Sequence, residues 1–268
     1  MIGVFDSGLG GLTVVKEIFQ QLPDYQVLYL GDTARTPYGN RSQELIYKFT
    51  EQAVDYLFKQ GCQLIVVACN TASAEALRKI QQEWLPKNYP DRRVLGVIRP
   101  VAEQAAKETR SGRIGVVGTR GTVNSNAYSR ELKALNKDLE VYQQSCPLLV
   151  PIVEEDLMNR PETAKILRNY LRPLKLKKID ILILGCTHYP MLLKQFRQIA
   201  GSRINILDSA GIVVEKLKDY LGRHPEIESK LIKGHVHKFL ITDLTDNFSN
   251  QACKWLDKDI DVEKINLE

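Results

Sequence analysis

Two stretches of this chain begin alike, and that repetition restricts the fold more than any other feature. Ile2-Gly3-Val4-Phe5-Asp6-Ser7 is echoed by Ile114-Gly115-Val116-Val117-Gly118-Thr119, each an apolar run that breaks into a glycine-bearing turn. Apolar residues at consecutive positions fill strands buried on both faces of a parallel sheet. In each half a later run of the same kind ends on cysteine: Val66-Val67-Ala68-Cys69-Asn70-Thr71 and Leu182-Ile183-Leu184-Gly185-Cys186-Thr187-His188. The intervals from Ile2 to Cys69 and from Ile114 to Cys186 are nearly equal. Parallel strands need crossover connections, and Val14, Val15, Ile18, Phe19 and Leu22 recur at helical spacing between the first two. The expected fold class is therefore α/β, with two similar doubly wound parallel-sheet domains facing each other across a cleft.

The remaining pattern divides the chain. Strands are expected at Gln26 to Leu30, Leu64 to Ala68 and Val94 to Ile98, with helices carrying Leu45 to Leu57 and Ala72 to Trp84. A polar loop with proline interrupts this half between Pro86 and Arg93, and Arg99-Pro100 opens a new unit. Further strands are expected near Leu139 to Tyr142, Ile179 to Leu184, Ile204 to Leu207 and Lys238 to Thr242. The part after Asp208 has no counterpart in the second unit and is expected to return to the first. The expected domains are 1–97 plus 208–268, discontinuous, and 98–207.

Composition narrows the function class. With 44% apolar residues in 268, the chain has material for real cores. The net charge of +5 comes from 37 basic and 32 acidic residues interspersed along the chain, so nucleic acid is not an expected partner. Lys87 to Arg93 and Arg172 to Lys178 concentrate positive charge, but short runs of this kind are ordinary solvated faces. The start of the chain carries no basic leader and no cleavage signal, and no apolar run approaches the ~20 residues that span a bilayer. The expected location is the cytoplasm, with no membrane contact. Cys62, Cys69, Cys146, Cys186 and Cys253 are scattered without a CxxC pair, against a disulfide framework or a zinc finger.

Cys69 and Cys186 each follow a buried strand and precede a helix, the edge where doubly wound folds bind ligands. A helix N-terminus favours the thiolate and is expected to lower a thiol's ordinary pKa of about 8.5. Singly, either would read as a small buried hydrophobe, but two at corresponding strand ends suggest one site with two facing bases. Asp6-Ser7-Gly8-Leu9-Gly10-Gly11 resembles a dinucleotide loop, yet Thr13 stands where the fingerprint needs glycine or alanine. Its amides and the Ser7 hydroxyl are instead expected to hold a carboxylate, with Asp6 near the chemistry. His188, beside Cys186, is expected to handle protons. His235-x-His237 lacks a third ligand nearby, so no metal is expected there.

Four motifs together resemble the glutamate racemases of the aspartate/glutamate racemase superfamily. They are Phe5-Asp6-Ser7-Gly8-Leu9-Gly10-Gly11, Gly31-Asp32-Thr33-Ala34-Arg35-Thr36-Pro37-Tyr38-Gly39, Ala68-Cys69-Asn70-Thr71-Ala72 and Gly185-Cys186-Thr187-His188-Tyr189-Pro190. The one departure, Arg99-Pro100 where an acidic or small residue would precede the proline, lies outside them. The resemblance implies a cofactor-independent racemase interconverting L- and D-glutamate for peptidoglycan synthesis, with Cys69 and Cys186 as the two bases, assisted by Asp6 and His188. It further implies that Ser7, Asn70, Thr71 and Thr187 hold the amino-acid head group. Tyr38 and Gly39, with Thr119 in addition, would bind the side-chain carboxylate. No metal and no pyridoxal phosphate are implied, and a homodimer is the expected assembly. An aspartate racemase, or a non-catalytic amino-acid-binding or regulatory relative, is the alternative.

Overall fold

The structure is a computed structural model describing residues 1–267 and the side chains of all of these but 246–250. The first half runs β1 (Ile2–Asp6), α1 (Leu12–Gln21), β2 (Val27–Gly31), α2 (Gln43–Lys59), β3 (Leu64–Val67), α3 (Asn70–Glu75) and β4 (Arg93–Gly96). Next come α4 (Ile98–Glu108), β5 (Arg113–Gly118), α5 (Arg120–Asn124), α6 (Ala127–Leu135), β6 (Glu140–Ser145) and α7 (Leu149–Glu154). These are followed by α8 (Pro161–Leu176), β7 (Ile181–Gly185), α9 (Leu193–Ala200) and β8 (Asn205–Leu207). The chain closes with α10 (Ser209–Arg223), β9 (Lys238–Ile241), α11 (Asp246–Leu256) and β10 (Val262–Lys264).

These strands form two sheets, in the order β10-β9-β2-β1-β3-β4 and β6-β5-β7-β8. Every pairing within them is parallel. The two echoed runs occupy equivalent places. β1 lies between β2 and β3, with Ile2 opposite Val27 and Leu64, and β5 lies between β6 and β7, with Ile114 opposite Val141 and Ile181. Both are buried along almost their whole length, which explains why they read as continuous apolar runs.

Alternation along the strands sends side chains to two cores. Ile2, Val4, Val27 and Tyr29 face a cluster shared with Val14, Val15 and Ile18 of α1, Val213, Val214 and Leu217 of α10, and the strands of the smaller sheet. Phe5, Leu28, Leu30, Ile65 and Val67 face the other way, onto Val54, Leu57 and Phe58 of α2. Each such side chain, fully buried, stabilises the fold by about 1.5–3 kcal/mol relative to exposure. The first cluster joins both sheets, so the halves close against each other through helices rather than through a thin linker.

Two details depart from the sequence reading. The helix expected through Trp84 is interrupted at Ala76 and continues through Leu77–Lys79, a π-helical turn at Ile80–Trp84 and Leu85–Asn88, with Trp84 against Tyr89 at 5.5 Å between ring centroids. β10 was not anticipated because its three residues, Val262, Glu263 and Lys264, carry two charges and lie exposed at the sheet edge, where no alternation is required. Arg99 pairs with Glu103 of its own helix at 2.8 Å and with Glu131 of α6 at 3.0 Å, so it ties α4 to α6 on the surface. Among the described residues no helix is long and apolar enough to cross a membrane.

Candidate active site

The carboxyl ends of β1, β3, β5 and β7 converge, as parallel sheets place their loops at one edge. They enclose a narrow cavity of about 310 Å³ including its open mouth, with Ser7, Cys69, Asn70 and Thr71 on one side and Cys186, Thr187 and His188 on the other. Tyr38, Gly39 and Thr119 also reach it. Asp6 alone of the expected residues does not line it and sits fully buried just behind. A larger cleft of about 1500 Å³ lies between Arg78, Arg99 and Tyr220 but contains neither thiol.

Cys69 caps α3: its sulfur accepts from the Ala72 N–H at 3.5 Å and its thiol donates to Ser7 Oγ at 3.4 Å. The helix N-terminus does not lower its pKa as expected. Burial, together with the nearby Asp6 carboxylate, pushes the Cys69 thiol up to about 12, against smaller opposing effects of its hydrogen bonds with Ser7 and Ala72. Cys69 is therefore a thiol at neutral pH.

The carboxylate expected at the first glycine turn is Asp6's own. Gly8 N–H donates to Asp6 Oδ2 at 3.0 Å, and Thr187 donates to Asp6 Oδ1 at 3.3 Å from the opposite half. Burial raises the Asp6 pKa, while His188 and the Gly8 and Gly11 amides oppose that rise. Asp6 thus interacts with both cysteine motifs rather than with Cys69 alone.

His188 is buried and bonded on both sides. Its Nε2 lies 3.0 Å from Glu154 Oε1, it hydrogen-bonds Cys186, and the edge of its ring contacts Trp255 of α11. Burial lowers its pKa, but the bonds to Cys186 and Glu154 outweigh burial and carry it to about 10. Glu154, on α7, was not singled out from sequence. It is one of 32 acidic residues and has no local motif; only the fold brings it to a histidine 34 positions away. Val150, on the same short helix, also lines the cavity unannounced.

This pairing has a consequence for stability. A folded-state pKa above the ordinary 6.5 means that the contribution of His188 is fully present below about pH 6.5 and disappears as pH rises through 10. Glu154→Gln removes the anion that helps hold the ring charged. The variant is expected to be less stable than wild type near pH 6, with the gap closing by about pH 10. Urea midpoints at the two pH values check this; a gap that widens toward pH 10 contradicts the assignment.

Threonine hydroxyls join the halves at the far end of the cavity. Thr71 lies 2.9 Å from Thr119, and Thr122, which the sequence reading passed over, lies 3.3 Å from Thr71 and 3.1 Å from Thr119. Gly39 approaches so closely that a Cβ there would meet Thr119 Cβ at 2.6 Å. Tyr38 is anchored behind the loop, donating to Asp32, which also accepts from Arg35 at 2.7 Å. His237 instead packs on Phe19 and accepts from the Val27 N–H, and among the described residues no cluster of three or more His, Cys, Asp or Glu could hold a metal ion.

An α/β enzyme with paired parallel sheets, equivalent strand-end thiols and a cavity between them has the architecture of an amino-acid racemase. The chain belongs to the Asp/Glu/hydantoin racemase family, whose model matches residues 2–217. It is 42% identical over 267 residues to a glutamate racemase of Chlorobaculum parvum, covering 99% of this chain and 96% of the relative. The crystal structure of glutamate racemase isoform RacE1 from Bacillus anthracis superposes with a TM-score of 0.92 at 38% identity, covering 100% of this chain and 97% of that one. Glutamate racemase from Francisella tularensis in complex with D-glutamate gives 0.90 at 31% identity, with the same coverage.

Proposed function

We propose that this protein interconverts L- and D-glutamate by passing the Cα proton between Cys69 and Cys186. The observation that carries the reading is that one thiol from each sheet lines the same cavity. Racemisation requires removal of a proton on one face of the carbon and delivery on the other, hence two acid/base groups in opposite protonation states. Here Cys69 is held as the thiol, while the buried His188 is hydrogen-bonded to Cys186. By resemblance Cys69 takes its proton from D-glutamate, which leaves Cys186 to take it from L-glutamate.

Ser7, Asn70, Thr71 and Thr187 hold the head group, and their donors stabilise the charge that develops on the α-carboxylate as the proton leaves. Tyr38, Gly39 and Thr119 receive the side-chain carboxylate. Asp6 and His188 assist Cys69 and Cys186, with Glu154 orienting the histidine. No pyridoxal phosphate or metal takes part. The chain divides into 1–97 plus 208–268 and 98–207, works in the cytoplasm as a homodimer, and supplies D-glutamate for peptidoglycan. The similarity to glutamate racemases along the whole chain supports these roles.

The test is exchange of the Cα proton in deuterated water, followed by NMR. Glutamate is expected to take up deuterium in both enantiomers, and aspartate far more slowly. Aspartate exchanging as fast as glutamate would turn the reading toward an aspartate racemase. No exchange with either substrate would leave a binding protein.

A further inference from the structure

Tyr128 lies on α6 with its side chain completely buried behind Cys186; a Cβ at Gly185 would stand 3.0 Å from its ring. Its hydroxyl crosses to the other half of the molecule and lies 2.7 Å from Asn70 Oδ1. Two proton arrangements fit such a distance: the phenol donates to the amide oxygen, or the amide turns over and its NH₂ donates to the phenol oxygen. The second leaves the phenol proton without an acceptor, since Tyr128 has no other hydrogen-bond partner among the described residues. An orphaned donor in a fully buried site is strongly disfavoured, and burial raises the phenol's pKa so that the proton stays in place. The phenol therefore donates.

That choice determines what the cavity sees. With Oδ1 occupied, Asn70 Nδ2 has no protein partner among the described residues, and Asn70 lines the cavity. It offers N–H donors there, a match for a carboxylate and a mismatch for an ammonium group. We propose that Tyr128 is a positioning residue, locking the Asn70 amide with its N–H donors toward the substrate carboxylate when the two halves are closed. The donor and the amide belong to different halves, so opening the cleft frees the amide to turn, and closure rather than α3 alone makes the carboxylate site. The inference rests on reading the cavity as the glutamate site.

The experiment compares wild type, Tyr128→Phe, Asn70→Ala and the double variant for racemisation kinetics and for D-glutamate binding by calorimetry. Tyr128→Phe keeps the ring and removes one hydroxyl. It is expected to lower kcat/KM roughly ten- to a hundredfold, mostly through KM, and to weaken binding in parallel. Because Tyr128 acts through Asn70, the double variant is expected to match Asn70→Ala within about twofold. Tyr128→Phe within twofold of wild type, or a double variant weakened by the product of the single effects as a packing role would give, overturns the proposal. Wild type that binds glutamate without Cα exchange defeats the racemase reading alone, and the binding constants then decide on Tyr128. Wild type that binds neither enantiomer overturns both.

Discussion

Cys69→Ala and Cys186→Ala are each expected to lose racemisation by roughly a thousandfold or more, yet still to exchange the Cα proton of one enantiomer with solvent. Removing a positioned acid/base group costs about 10²–10⁴ in rate, and racemisation needs both groups in every turnover. Exchange without inversion needs only the thiol that remains, acting as base and then returning a solvent-derived proton to the same face. The residual rates are also expected to differ. In Cys69→Ala, Cys186 keeps its hydrogen bond to His188. In Cys186→Ala the surviving Cys69 is held as a thiol by burial and by Asp6. Deuterium uptake is therefore expected to be slower in Cys186→Ala, where the remaining thiol must ionise against burial and Asp6. NMR of each enantiomer in deuterated water, coupled to chiral analysis, measures both effects. Near-parental racemisation by either variant contradicts the two-thiol mechanism.

The second large effect is expected at a residue with no side chain. An ideal Cβ at Gly10 would stand 2.2 Å from Thr187 Oγ1 and 2.6 Å from His188 Nδ1. Both neighbours are buried, and neither is the free end of a flexible chain. Gly10→Ala can be accommodated only by moving the two motifs apart, and a displacement of about 1 Å can cost about a hundredfold in rate. The prediction is a loss of that order in kcat/KM with circular dichroism unchanged, since the clash falls on two side chains and not on the strand ladders. Gly222, within α10 and with nothing near its Cβ position, is the control: Gly222→Ala is expected to leave activity alone and to stabilise by about 0.5–1 kcal/mol. Equal behaviour of the two variants would show that Gly10 does not set the approach of the halves.

Much of the frame was legible in the chain. Continuous apolar runs located β1, β3, β5 and β7, because a strand buried on both faces leaves no polar alternation to obscure it. The cysteines at two of their ends then pointed to the cavity. The short helix α7 was not legible: its six residues include Pro151 and carry no helical stripe that sequence could resolve, yet it delivers both Val150 and Glu154. Tyr128 and Thr122 were equally silent, since each matters only through a hydroxyl bonded across the closed interface.

By itself, the sequence determined the buried central strands, the echo between the halves and the residue types at each strand end, because periodicity, turns and caps act over a few neighbouring positions. Only the tertiary structure decided which side chains meet. Asp6 touches the opposite motif, Glu154 and Cys186 flank His188, and Cys69 is a capping thiol raised by burial where the helix N-terminus alone would have lowered it. The physical reason is that protonation depends on desolvation and on charges brought together from distant parts of the chain, and those are set when the sheets close over the cavity.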